Sequence, residues 1–159
     1  VPEYTIPGKL MPKKRPQAGK GRVFMPRDYQ IWKQAVRDEL AAFAPTPTLA
    51  PVAIGVEIRG PSRGRGDVDN LIGALMDAIQ PPRARGDVRA QRILEAALTI
   101  EERMAMSPGC LIGDDSQIKE ILYFRWRKAK EYAVTIRLEE LPEAAPKARS
   151  SPRKAAASE

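Results

Sequence analysis

Two acidic groups stand out by residue type and spacing: Asp67 and Asp69, two apart in RGRGDVDNLIGALMDAI, and the adjacent Asp114 and Asp115 in CLIGDDSQI. In extended backbone, residues i and i+2 face the same way, so Asp67 and Asp69 are able to aim both carboxylates at one point while Val68 turns inward. Magnesium is held by a few carboxylates, with water and a substrate phosphate completing its octahedron. If the fold brings the two groups together, they make a seat for such an ion. Each group also has a plain structural use, because Asp ahead of a helix is a cap and Gly-Asp-Asp is a turn. Taken singly, either is more often structural than catalytic.

The residues that are missing narrow the chemistry. The 159 residues include no histidine and one cysteine, Cys110. That excludes Ser-His-Asp and Cys-His relays, an imidazole base, the usual zinc site and an internal disulfide. Hydrolysis must then rest on carboxylates, lysine and metal. Lys plus Arg number 27 against 20 Asp plus Glu, a net charge of +7 that suits a polyanionic partner, although solubility alone also explains it. The excess is uneven. Gly8 to Arg27 carries Lys9, Lys13, Lys14, Arg15, Lys20, Arg22 and Arg27 with no acid, a candidate phosphate-binding arm. No apolar run approaches the ~18 residues of a membrane span, and VPEYTIPGKL lacks the pattern of a signal peptide, so the expected location is cytoplasmic, with no membrane partner.

The elements that must position the acids follow from periodicity. Short strands are expected at Glu3 to Pro7 and Val23 to Met25. A helix is expected from Pro26, with Tyr29, Trp32, Val36, Leu40 and Phe43 on one face. Val52 to Arg59 alternates as a half-buried strand. Asp67 to Ile79 reads as a helix with Leu71, Leu75, Ala78 and Ile79 as its apolar stripe, and Asp69 or Asn70 placed to cap the first turn. A third helix is expected from Asp87 to about Met106. Gln117 to Trp126 and Tyr132 to Leu138 read as a hairpin joined by the basic turn RKAKE. Arg65-Gly66-Asp67-Val68 recurs as Arg85-Gly86-Asp87-Val88, but the flanks differ and Asp87 reads as a cap only. Beyond Leu141 the Ala, Pro and Ser content predicts a disordered basic tail.

The ordered set of basic Gly/Pro loop, strand, Asp-x-Asp-Asn opening a helix, and Gly-Asp-Asp entering a strand resembles the RusA-type Holliday junction resolvases. The resemblance runs from about Tyr4 to Leu138. It rests on Tyr4-Thr5-Ile6-Pro7-Gly8, Pro12-Lys13-Lys14-Arg15-Pro16, Asp67-Val68-Asp69-Asn70 with Asp77 beyond, and Ile112-Gly113-Asp114-Asp115-Ser116-Gln117-Ile118. These resolvases are small homodimeric nucleases of bacteria and their phages that cut four-way DNA junctions with Mg²⁺. The resemblance implies an α+β fold, a two-layer mixed sheet packed on helices, spanning 1–140, with an inserted helical segment at 80–110 and the tail at 141–159.

It also implies roles. Asp67, Asp69 and Asp115 would be the essential carboxylates and metal ligands, with Asp114 beside them and Mg²⁺, or Mn²⁺ in its place, as the cofactor. DNA phosphates would meet Lys13, Lys14, Arg15, Lys20, Arg22, Arg63, Arg65 and Lys119, with Arg125, Arg127, Lys128 and Lys130 holding the junction arms from the hairpin. A two-fold dimer on a nearly two-fold junction would then make paired nicks. Trp32 and Trp126 are suited to stacking on bases, but packing is the commoner use of tryptophan. Where the family commonly carries a lysine three residues after the Asn, this chain has Gly73. The alternatives are a branched-DNA-binding protein on the same fold that cuts weakly or not at all, and a basic protein-interaction domain whose aspartates only cap.

Overall fold

Alternation of Val52, Ile54, Val56 and Ile58 builds the central strand of the sheet, and the computed structural model shows why that strand is so apolar. The structure describes residues 1–19, 21–64, 66–82 and 96–142, and only the backbone of Arg22. β1 (Glu3–Pro7), β4 (Val52–Gly60), β5 (Ile118–Lys128) and β6 (Ala133–Glu140) form one mixed sheet in the order β1-β6-β4-β5. β4 runs antiparallel to β6 and parallel to β5, so it is paired on both edges and all but one of its residues are buried. β2 (Gln17–Gly19) and β3 (Arg22–Phe24) make a separate small antiparallel ribbon in the basic loop.

Three helices complete the described chain, which is of the α+β class: α1 (Arg27–Ala41), α2 (Val68–Ile79) and α3 (Ile100–Ala105). One core joins Val36 and Leu40 of α1, Leu71, Leu75, Ala78 and Ile79 of α2, and the even-numbered side chains of β4 with Ile136 and Leu138 of β6. Successive strand residues point to opposite faces, so α1 and α2 cover the face of Val52 to Ile58, and Glu57 and Arg59 belong to the other. A parallel neighbour needs a long crossover. The chain supplies it by leaving β4, running back along α2 and returning through residues 80–117 to β5.

Two expectations are corrected. β5 and β6 are not a hairpin, because β4 lies between them. The link after Lys128 passes over the end of β4, where Ala129 N–H donates to the Gly60 carbonyl at 2.9 Å. The apolar β4 takes a partner on each edge, and a turn read from spacing cannot reveal a strand inserted from elsewhere. The helix expected from Asp87 to about Met106 is not continuous: Ala96 and Ala97 are helical, Leu98 and Thr99 interrupt the helix, and Thr99 starts α3 with a capping box, its hydroxyl accepting from Glu102 N–H at 3.2 Å while the Glu102 carboxylate accepts from Thr99 N–H at 2.7 Å. Residues 83–95, including Asp87, and the tail at 143–159 lie outside the described residues.

Candidate functional site

The expected cap at Asp69 or Asn70 is corrected: Asp67 is the N-cap of α2, because the helix starts at Val68. The Asp67 backbone is extended and its carboxylate accepts from Asn70 N–H at 3.0 Å, satisfying one of the orphan donors of the first turn. Asp69 sits exposed in that turn, beside the positive end of the helix dipole. The buried stripe Leu71, Leu75, Ala78 and Ile79 anchors the helix to the sheet and holds this acidic end at the surface.

The basic loop is fastened across the same end. Lys13 N–H donates to the Asn70 carbonyl at 3.0 Å. The Lys13 stem then runs over Gly73, where an added β-carbon would come 3.3 Å from Lys13 Cδ. Its ammonium reaches Asp77 Oδ1 at 3.2 Å, and Tyr29 OH donates to Asp77 Oδ2 at 2.9 Å. Burial first, then the Asp77 charge and hydrogen bond, push the Tyr29 phenol well above its ordinary range. Lys14 pairs with Asp28, and this hydrogen bond is the main reason that the Asp28 carboxyl lies below the usual carboxylate range. Trp32 stacks on Tyr29 with ring centroids 5.9 Å apart and packs against the core, which is a structural use.

The second acidic group is elsewhere. Leu111 N–H donates to the carbonyl of Ile79, the last residue of α2, at 2.7 Å, and Gln117 donates to the Thr48 and Ala50 carbonyls just before β4. Asp114 caps the short 3-10 turn Asp115–Gln117, its carboxylate accepting from Ser116 N–H at 2.8 Å, and Asp115 is exposed. Asp114 and Asp115 thus sit at the C-terminal end of α2, while Asp67 and Asp69 sit at its N-terminal end. Twelve residues at 1.5 Å per residue separate the two ends by roughly 18 Å. Among the described residues, no three or more acidic or thiol side chains are grouped to hold a metal ion. The expectation that Asp67, Asp69 and Asp115 meet within one folded chain is therefore corrected: the crossover that carries the chain from β4 to β5 places them at opposite ends of the helix.

The expectation that Asp67 and Asp69 face the same way in extended backbone is corrected: only Asp67 is extended, Val68 and Asp69 already belong to α2, and residues two apart on a helix do not face each other. Both acids nevertheless share the exposed first end of α2, and they are the carboxylates there that could act as oxygen ligands. Of the expected phosphate contacts, Lys13 lies beside α2 with its ammonium on Asp77, Lys14 pairs with Asp28 in the first turn of α1, and Arg15 and Arg63 are exposed. The Lys119 ammonium donates to the Ser116 carbonyl at 2.5 Å, at the far end of α2. Lys20, Arg65 and the Arg22 side chain lie outside the described residues. Arg125 and Arg127, expected near a hairpin tip, lie on β5 and turn to Glu57.

Sequence reasoning missed the Tyr29–Asp77–Lys13 contact set. The available signal was Asp77 four residues after Gly73, hence on the same side of α2. Against known proteins, no family model and no curated protein matches the chain.

Proposed function

We propose that this protein is a metal-dependent endonuclease that resolves four-way DNA junctions, of RusA-like fold. The observation that carries this reading is the clasp of a cationic loop over Asp67-Val68-Asp69-Asn70, fixed by the backbone bond from Lys13 to Asn70. An acidic pair and a cationic loop side by side are what phosphodiester hydrolysis needs, one to hold a divalent ion and the other to meet the substrate's negative charge.

Mg²⁺, or Mn²⁺ in its place, supplies a Lewis acid on the phosphate oxygens when bound. Asp67 and Asp69 hold it at the start of α2. Lys13 lies where the family's helix lysine would project: Gly73 leaves room for its stem, and Asp77 and Tyr29 fix its head. Lys13 in this reading counters charge building on the phosphate, and Arg15 and Arg63 hold the backbone on either side. Asp115, roughly a helix length away, takes part in the same centre only if a second copy supplies it. A two-fold homodimer in which two α2 helices run antiparallel meets that need and gives two centres for paired nicks.

The second reading, a branched-DNA binder that does not cut, draws on the finding that no three carboxylates group together among the described residues. Incubation of the purified chain with a synthetic four-way junction and Mg²⁺ separates the two. The nuclease gives symmetrically paired nicks, and Asp69→Asn stops them while junction binding persists. Tight binding to the junction with no nicks in Mg²⁺ or Mn²⁺ establishes the second reading. Equal affinity for linear and branched DNA at moderate salt discards both in favour of a general basic domain.

A further inference from the structure

The face of the sheet turned away from α1 and α2 carries a cluster of arginines built around one buried acid. Glu57, 2 % exposed, accepts from Arg59 Nε at 2.7 Å and from Arg125 Nε at 2.5 Å, and stands 3.0 Å from Arg127 Nε. The register explains the meeting, since Glu57 pairs with Arg125 and Arg59 with Arg127 across β4 and β5. Burial alone raises the Glu57 pKa, but hydrogen bonds from Arg59 and Arg125 and the charges of Arg125 and Arg127 outweigh it, so the carboxyl lies below its usual range.

This arrangement exceeds what a buried carboxylate requires. One well-placed arginine satisfies two carboxylate oxygens. Here three cations share one anion, and Arg59 lies directly opposite Arg127, a like-charge cross-strand pair that is unfavourable without a counter-ion. All three use Nε toward Glu57, and among the described residues no hydrogen bond engages their terminal nitrogens. Their side chains are half exposed, so those nitrogens are open to solvent. Tyr123 packs closely on Gly55, where a β-carbon would sit 2.6 Å from the ring, and the Arg125 guanidinium lies over Tyr123 at 4.5 Å from the ring centroid, so packing restrains the cluster.

We propose that Arg59, Arg125 and Arg127, held in position by Glu57 and Tyr123, form a second DNA contact that binds backbone phosphates of a duplex arm on the sheet face opposite α2. Guanidinium forks match phosphate oxygens in pairs, and a surplus of two positive charges at one spot favours a polyanion over a neutral or cationic partner. Glu57 is a positioning residue: it points the three forks outward and itself touches no DNA. The choice of DNA as the partner rests on the proposed function, and the contact supplies grip on a junction arm without entering the chemistry.

The test is fluorescence anisotropy of the full chain on a labelled duplex and a labelled four-way junction, in EDTA, across a salt series. Replacing all three residues (Arg59→Gln, Arg125→Gln, Arg127→Gln) weakens binding about tenfold or more and lowers the slope of log affinity against log salt by about 3. Glu57→Gln removes a negative charge and so raises the net positive charge of the patch, so a merely electrostatic patch would bind more tightly, whereas disordered forks bind less tightly. The triple Arg→Lys variant keeps charge and loses the fork, and falls measurably below wild type whether or not Glu57→Gln folds. Unchanged affinity and slope in the glutamine triple variant overturn the contact. Tighter binding by folded Glu57→Gln, or full affinity in the lysine variant, overturns the positioning. A wild-type chain that binds DNA through these arginines yet never nicks in Mg²⁺ refutes the nuclease and leaves this contact standing. Intact nicking with unaltered binding in the arginine variants does the reverse.

Discussion

The chain carries positive charge in two regions, and they use it differently. In the loop before α1, three lysines each have their own partner: Lys13 has Asp77, Lys14 has Asp28, and Lys9 lies over the Tyr132 ring at 5.4 Å, while Arg15 is exposed. On the sheet face, three arginines share Glu57 and keep their terminal nitrogens outward. The loop brings one lysine to a defined point over Gly73, beside the acids of α2. The sheet face presents a local surplus of positive charge around Glu57, bordered on the same face by the Arg137–Glu139 ion pair of β6. A density of basic residues along the sequence is therefore a poor guide to which charges remain available, because pairing depends on what the fold sets opposite them.

The difference is open to direct attack, beginning with the largest effect. If the loop serves chemistry, Lys13→Ala lowers junction nicking about a hundredfold, the scale of losing one preorganised electrostatic group, while affinity in EDTA changes only a few-fold. Adding Gly73→Lys to that variant restores cleavage, since a helix-borne lysine then fills the space that the Lys13 stem has left. Parallel losses of nicking and affinity would show that loop and sheet face do the same job.

The sheet face answers to packing. Gly55→Ala sets a methyl group into the Tyr123 ring and costs about 1–3 kcal/mol in urea denaturation, as overpacking does. A cost near zero would mean that Tyr123 leaves the sheet easily and that packing does not restrain the arginine cluster.

Glu57 also makes stability depend on pH in a definite direction. Its folded pKa is depressed, so its contribution is fully present above the ordinary carboxylate value of about 4.3 and is lost as pH falls through the folded value. Melting temperatures from pH 7 downward should fall more steeply for wild type than for Glu57→Gln. Equal slopes would detach Glu57 from its arginines.

The smallest effect belongs to the loop side. Tyr29→Phe removes the hydrogen bond to Asp77 and costs about 1 kcal/mol at neutral pH. The folded Tyr29 pKa is raised, so this contribution persists below the ordinary tyrosine value of about 10 and fades as pH rises through the folded value. In alkaline spectrophotometric titration the variant loses a phenol that ionises late. An unchanged late component would place that phenol elsewhere.

Local signals were legible wherever a property repeats along the chain. The period of α1, the alternation of β4 and the capping turn at Asp114 all follow from residue type and neighbours a few positions away, whereas the cap of α2 falls on Asp67 and not on Asp69 or Asn70. The clustering of lysines in the loop was equally plain, as was the exclusion of imidazole chemistry by a chain without histidine. Gln117 to Trp126 and Tyr132 to Leu138 were legible as strands yet not as non-neighbours, because the strand that separates them, Val52–Gly60, comes from far earlier in the chain.

The sequence by itself determined which side chains were available, which segments coil or extend, and that a cationic loop and two acidic groups exist. Only the tertiary structure decided their meetings. It put Lys13 on Asn70 and over Gly73, sent Asp67 and Asp115 to opposite ends of α2, and drew Arg59, Arg125 and Arg127 around Glu57. The physical reason is that helix and strand periods are set by backbone geometry over a few residues, whereas those meetings depend on strand order and register across the sheet, which the shared core selects.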